Sequence, residues 1–412
     1  MVFVIGNGQT GATSDFDCNF GQRPWKFPPP PGYQAATLAN CYARPTLVRP
    51  DKEYFGVTTY IGNGTTQSIT GLGFQPDLVW IKVRTAAYNH VLYDSIRGPF
   101  QTLEPSATGA NNDRDPYGVT SFDKDGFTVK GLTNGDYQVN GTPGGTYSGS
   151  TGGYVAWYWK AGGKKGTWNL NGEDAGSASA AGLTTGDTSV LNACSINTKA
   201  GFSIVKWTQD SGGSAKSIAH GLSKAPSFVM MKHINSTSAW YAVHTAIENE
   251  GKIMYMNTDS GQDTSSDFGG VWPGATYTNT STTSVDGREL IMYSWINTEG
   301  VQKFGQYEGN GDATKGIYVH CGFKPAMVML KRVDSTGWWH IFDNKKNPYN
   351  VRNKVLFPNE ANAESTYTGT DPMIDILTAG FKLKSSYSHV NNGGSKYSYC
   401  AWADVPLSLI HI

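Results

Sequence analysis

The chain has 412 residues, with 33 basic and 33 acidic side chains and a formal net charge of zero. That balance lacks the basic excess a phosphate backbone demands, and no run of 18 apolar residues is present to span a bilayer, so neither nucleic acid nor membrane is an expected partner. Charged residues are only 16% of the chain, while 50 glycines and a 12% aromatic content describe a packed, turn-rich protein and exclude a disordered one.

Residues 1–53 read as an N-terminal arm. MVFVIGNGQTGATSDF has no basic region ahead of its short apolar stretch, so a secretory leader is not expected. Pro28–Pro31 form a stiff extended spacer without ladder donors. Residues 16–25 are expected to add as a strand to another domain or chain, with Phe16, Asn19, Phe20, Trp25, Pro28 and Pro31 as assembly contacts.

From residue 54 onward the chain repeats itself. A proline is followed six residues later by a lysine in three places: Pro76 to Lys82 through DLVWI, Pro226 to Lys232 through SFVMM, and Pro325 to Lys331 through AMVML. Twelve residues further come Asp94, His244 and Asp343, closing the runs HVLYD, WYAVH and WHIFD. Each copy ends on an aromatic run: YVAWYW at 154–159, LIMYSW at 290–295 and YSYCAW at 397–402. The first runs are short, bounded by proline and apolar on both faces, as a covered central strand requires. The second runs alternate, with Val91 and Tyr93 against Leu92, and Tyr241 and Val243 against Ala242. Asn63-Gly64 and Asn310-Gly311 predict two-residue hairpin turns.

The expected fold is all-β: tandem β-sandwich modules, jelly-roll or concanavalin-like, behind the extended arm. The modules run over 54–161, 200–300 and 301–412, with a Gly/Ser/Ala linker at 162–199. About 100 residues each suffices for an independent core. The five cysteines are scattered and odd in number, which argues against a disulfide framework; Cys321 and Cys400 lie in apolar runs and should be buried.

TYIGNGTTQSITGLGFQPDLVWIK, SFDKDGFTV and YVAWYWKAGG, with AGFSIVKWTQD and YSYCAWADVPL later, resemble an uncharacterised β-rich repeat domain of tail and other virion proteins of marine bacteriophages. NFGQRPWKFPPPPGYQAATLAN resembles the last strand and exit of a SPRY-type, concanavalin-like sandwich. The first resemblance covers most of the chain. It implies a virion protein, a tail fibre or surface appendage attaching to host-surface polysaccharide. Its partners would be other virion proteins and further copies of itself, as in a trimer. The alternatives are a purely structural virion part (capsid decoration, collar or fibre connector) and, less favoured, a polysaccharide depolymerase. Module two departs most from the pattern: it lacks the Gly-Asn-Gly turn and carries His244 in place of aspartate.

No enzyme is expected. Asp94 and Asp343 occupy equivalent places in separate modules and should be far apart, and Asp115, Asp123 and Asp125 belong to turns. Neither GxSxG nor HExxH occurs. DRDPYG and DKDG are fragments of a calcium-loop pattern without its closing glutamate, so no metal site and no cofactor are expected. His220 and His320 read as structural. Trp159, Trp295 and Trp402 recur at equal module positions and read as core. The non-recurring loop aromatics Tyr88, Trp240, Trp272, Tyr277, Trp338 and Tyr387 are the glycan-binding candidates.

Overall fold

The structure, a computed structural model, describes residues 50–131, 137–142, 153–209, 216–247, 252–264, 276–279 and 287–404, with the side chains of 137 and 276–279 excepted. Contacts divide the chain at residue 48, and everything below concerns the unit that begins at Arg49. The expected arm residues Phe16, Asn19, Phe20, Trp25, Pro28 and Pro31 lie outside the described residues.

The protein is all-β. A one-turn helix, α1 (Pro50–Glu53), leads into module one: β1 (Phe55–Ile61), β2 (Thr66–Thr70), β3 (Leu78–Val83), β4 (Val91–Asp94), β5 (Gln101–Thr102), β6 (Asn112–Asp113), β7 (Gly118–Asp123), β8 (Gly126–Lys130), α2 (Tyr137–Asn140) and β9 (Gly153–Trp159). Next come β10 (Trp168–Leu170), β11 (Glu173–Asp174) and β12 (Leu191–Asn197). Module two holds β13 (Phe202–Thr208), β14 (Lys216–Ala219), β15 (Phe228–His233), β16 (Tyr241–His244), β17 (Lys252–Tyr255), β18 (Asp263–Thr264), β19 (Thr276–Asn279) and β20 (Glu289–Trp295). Module three holds β21 (Gln302–Glu308), β22 (Tyr318–His320), β23 (Pro325–Arg332), β24 (His340–Asp343), β25 (Lys354–Val355), β26 (Ser365–Thr366), β27 (Ile374–Leu377), β28 (Gly380–Leu383), α3 (Ser388–Asn391) and β29 (Lys396–Ala403). Among the described residues no helix is long and apolar enough to cross a membrane.

The repeat in the sequence is a repeat of register. The main sheets run β1-β9-β3-β4 and β21-β29-β23-β24, and β13-β20-β15-β16 is the same arrangement within a longer sheet. Leu78 pairs with Trp159, Phe228 with Trp295 and Met327 with Trp402, each four residues before the motif lysine. β3 and β15 are buried along their whole length, as a strand flanked on both edges and covered on both faces must be. The alternation in the next strand separates two cores: Val91 and Tyr93 face one, Leu92 the other.

Those two cores show how the modules are joined. One face of the module-one main sheet meets the small sheet β2-β8-β7 through Ile81, Tyr93, Tyr154, Phe127 and Val129. Module three repeats this with β22-β28-β27. The opposite faces of all three main sheets share a single core. At its centre stand Trp159, Trp295 and Trp402, their ring centroids 6.1, 5.4 and 6.1 Å apart and their planes crossed at 65°, 74° and 75°. Edge-to-face contact of this kind contributes about 0.5–1.5 kcal/mol per pair beyond area burial. Among the described residues none of the three indole N–H groups finds a hydrogen-bond acceptor, so the triad is held by packing. The independent core expected of each tandem module is therefore joined by a second core that all three modules share.

Two further expectations are corrected. The Gly/Ser/Ala segment 162–199 is not a free linker: β12 pairs antiparallel with β13, β10 pairs parallel with β12, and Ala181, Leu183, Cys194 and Ile196 are buried in the module-two core. Its small residues allow close packing rather than flexibility. The Asn-Gly turns are not tight hairpins, because β1 and β2 lie in different sheets, as do β21 and β22. Only the glycines, Gly64 and Gly311, have positive φ. The asparagines instead pair reciprocally with a buried asparagine ending the one-turn helix. Asn63 N–H donates to Asn140 Oδ1 (2.8 Å) and Asn140 Nδ2 to Asn63 Oδ1 (3.0 Å); Asn310 and Asn391 repeat this at 3.0 and 3.0 Å.

Candidate functional site

Asp94, His244 and Asp343, which end the second run of each copy, stand at junctions between modules. The three follow one cyclic order. Tyr293 Oη of module two donates to Asp94 Oδ2 of module one (2.6 Å). His244 Nε2 of module two meets the Tyr399 carbonyl of module three (3.1 Å). Trp157 Nε1 of module one donates to Asp343 Oδ2 of module three (3.2 Å). Asp94 and Asp343 are thus junction residues, each neutralised by a buried cation one turn on: Arg97 at 2.5 Å and Lys346 at 3.4 Å.

The motif lysines are the second set of ties. Lys82, Lys232 and Lys331 are fully buried. Lys232 Nζ reaches the Thr108 carbonyl of module one (3.2 Å), and Lys331 Nζ reaches the Asp259 and Ser260 carbonyls of module two (3.1 and 2.6 Å). At the remaining junction Glu364 of module three faces Lys82 and takes Arg84 in two hydrogen bonds of 2.9 and 2.8 Å. Burial pushes the Lys82 and Lys331 ammoniums down to about 7 and Lys232 to about 8.

His244 explains why module two departs from aspartate. Its Nδ1 accepts from the Ala246 N–H (2.9 Å), so Nε2 carries the proton that meets the Tyr399 carbonyl. A carboxylate there would face that carbonyl oxygen. The cation goes too, since Ile247 stands where Arg97 and Lys346 stand in the other modules. Burial pushes the His244 imidazole down to about 4. Its unfolded-state value is about 6.5, so between those values the unfolded chain binds more protons and stability falls as pH falls. We expect His244 to account for about 3 kcal/mol lost between pH 6.5 and 4. Denaturant titrations across that range should show a shallower acid slope for His244→Gln; an unchanged slope would refute this assignment.

The six aromatic candidates separate. Trp240 is fully buried, its indole N–H donated to the Glu104 carbonyl of module one (2.8 Å), so it ties a junction and is unavailable to a ligand. Trp339 does the same one module on, to the Tyr255 carbonyl (2.9 Å). Trp240 therefore recurs, which the sequence reading missed because His90 fills the place in module one. Tyr88 is half-buried against the module-one core. Trp272 lies outside the described residues; Tyr277, in β19, pairs through its backbone with Ile218 of β14, and its side chain is outside them.

Trp338 and Tyr387 come together. α3 places His389 between them, 5.7 Å from the Trp338 ring and 4.7 Å from the Tyr387 ring. Tyr367 joins through Phe357, which lies 5.0 Å from Trp338 and 6.3 Å from Tyr367. Trp338, Tyr367, Tyr387 and His389 are each half-buried, held from beneath by the module-three core. Gly337 lets the loop pass, since a Cβ there would lie 2.9 Å from Arg332 Cβ. Burial, with Lys331 and Arg332 nearby, lowers the His389 pKa, so the ring is neutral at pH 7. Sequence reasoning missed Tyr367 and His389, which lie in polar loops with no periodic signal.

This arrangement defines a class: an all-β body of three cyclically joined modules with a half-exposed, uncharged aromatic cluster on the third. The chain belongs to the family described as "Domain of unknown function (DUF7483)", matched over residues 50–406, from α1 to just past β29. No curated protein matches the sequence. The solved structure of the flagellar hook junction protein FlgK from Burkholderia pseudomallei is similar at 14% identity, over 58% of this chain and 42% of that one, with a TM-score of 0.09. The chain thus spans less than half the length of FlgK, and a likeness this slight carries no argument about fold or function.

Proposed function

We propose that the protein is a bacteriophage virion component, a tail fibre or surface appendage, that attaches to host-surface polysaccharide without cleaving it. The virion assignment rests on the resemblance of the repeat motifs; the observation that carries polysaccharide attachment is the Trp338–Tyr367–Tyr387–His389 cluster. Sugar rings present apolar C–H faces to aromatic planes while their hydroxyls stay hydrated, and a neutral, half-exposed aromatic surface suits that contact. The core beneath holds these rings in place before binding, which lowers the entropy lost when a ligand docks.

Trp338→Ala should weaken binding of the isolated protein to host envelope polysaccharide at least tenfold, about 1.4 kcal/mol, by calorimetry. The Trp338 ring is partly exposed at the edge of the module-three core, and an unchanged circular dichroism spectrum separates a lost contact from a lost fold. Absence of polysaccharide binding by the unsubstituted protein would overturn attachment and leave a structural virion part. Shortened polysaccharide chains after incubation would show a depolymerase.

A further inference from the structure

Trp338 is held by its main chain as well as by its ring. Its N–H donates to His389 Nδ1 at 3.4 Å, and its carbonyl accepts from His340 Nδ1 at 2.7 Å. An N–H only donates and a carbonyl only accepts, so His389 carries its proton on Nε2 and His340 on Nδ1. His340 is fully buried. His389 is half-buried and makes the longer bond, so it is the side of this clamp that water and protons reach first.

Module one uses the same framework positions for a different purpose. Asn89, Glu104 and Gln138 stand there where Trp338, Phe357 and His389 stand in module three, as the equivalent pairs Leu92–Leu103 and Ile341–Leu356, and Asn63–Asn140 and Asn310–Asn391, fix the correspondence. Glu104 accepts from Asn89 Nδ2 (2.8 Å) and from Gln138 Nε2 (2.9 Å), a polar knot. Module three replaces the knot with rings, Trp338 lying 5.0 Å from Phe357 and 5.7 Å from His389. A protonated His389 has no acceptor left for the Trp338 N–H, since both ring nitrogens then donate. Its charge would face Lys331 and Arg332 of β23, with Asp259 of module two the acid opposed to them. Lys331 is already bonded to the Asp259 and Ser260 carbonyls, and Arg332 pairs with Asp334 and reaches the Ser388 carbonyl of α3 (3.4 Å). The remaining titratable neighbours, His340 of β24 and Tyr387, lie with ring centroids 6.0 and 4.7 Å away.

We propose that His389 is a positioning residue that makes the aromatic surface pH-dependent: neutral, it latches the Trp338 main chain in the ligand-ready arrangement, and protonated, it releases Trp338 and weakens the hold on sugar. This rests on the polysaccharide reading of the cluster. Burial and the two cations lower the His389 pKa in the latched form, whereas a released, hydrated imidazole titrates near about 6.5. The latched form therefore excludes the proton, so the latch is complete above that value and is lost as pH falls below it.

Two measurements on the full chain separate the latch from the ligand. In the ligand-free protein, the Trp338 amide resonance is followed by two-dimensional NMR from about pH 7.5 to about pH 5. It should move with pH in the unsubstituted protein and stay still in His389→Asn, whose Oδ1 accepts the same N–H without titrating. Host envelope polysaccharide is then titrated calorimetrically at both pH values. Binding by the unsubstituted protein should weaken about tenfold at the lower pH, within the roughly 30-fold excess of imidazolium over imidazole that an ordinary histidine reaches at about pH 5. His389→Asn should bind alike at both, and His389→Ala weakly at both, with circular dichroism unchanged. A Trp338 amide that ignores pH, or that moves equally in His389→Asn, overturns the proposal, as does equal binding by the unsubstituted protein at the two pH values. If no polysaccharide binds at either pH, the attachment reading falls, and the amide titration still decides the latch.

Discussion

Trp402→Ala is expected to cost about 3–5 kcal/mol, and to cost it in all three modules at once. Trp402 is essentially fully buried, and its ring contacts Trp159 of module one, Trp295 of module two and Phe304 of its own module at 5.4, 6.1 and 5.5 Å. Removing the indole opens a cavity where three main sheets converge, and none can collapse into it without moving the others. Trp402→Phe should cost much less, because the indole N–H has no acceptor to lose among the described residues and most of the ring area remains. Urea unfolding followed by tryptophan fluorescence and by backbone circular dichroism should give a single coincident transition for each variant. Separate transitions, with only one displaced by Trp402→Ala, would show that the shared core does not couple the modules.

Asp343→Ala should rank with it, at about 3–5 kcal/mol, because it strands a buried ammonium. The Asp343 and Lys346 side chains are both fully buried, and Asp343 also accepts the Trp157 indole N–H and the Lys345 and Lys346 backbone N–H groups. A buried ion pair is worth little against an apolar replacement of similar size, whereas half a pair is costly. Asp343→Asn combined with Lys346→Met should therefore recover part of the loss: the single amide oxygen keeps the acceptor for the Lys345 and Lys346 N–H groups at the expense of the Trp157 bond, and methionine fills the lysine volume without a charge. Module two already carries a neutral version, His244 with Ile247, and folds into the same register. Denaturation midpoints of the single and double variants decide the matter; a double variant as unstable as Asp343→Ala would mean the charges are needed as charges.

The sequence by itself determined the local structure. Runs such as LVWIK, too short for a helix and apolar on both faces, could only be covered strands, and the Pro-to-Lys and Lys-to-Asp/His offsets recur because strand pairing has a fixed register. The alternation in HVLYD set Val91 and Tyr93 against Leu92, and the structure places them in two different cores. Only the tertiary structure decided what the second core was. A hydrophobic pattern says that a face is buried and is silent about which surface buries it, so a shared centre and three private interiors read alike. For the same reason the motif lysines, Trp240 and Asp343 looked like strand ends, loop aromatics and isolated acids: the partners of Lys331, Trp240 and Asp343 lie about 70 to 190 residues away, across junctions that no local spacing encodes. Segment 162–199 looked like a linker because small residues serve flexibility and close packing equally well. The aromatic cluster was half legible, Trp338 and Tyr387 by composition, Tyr367 and His389 only once α3 and the loops had folded against one another.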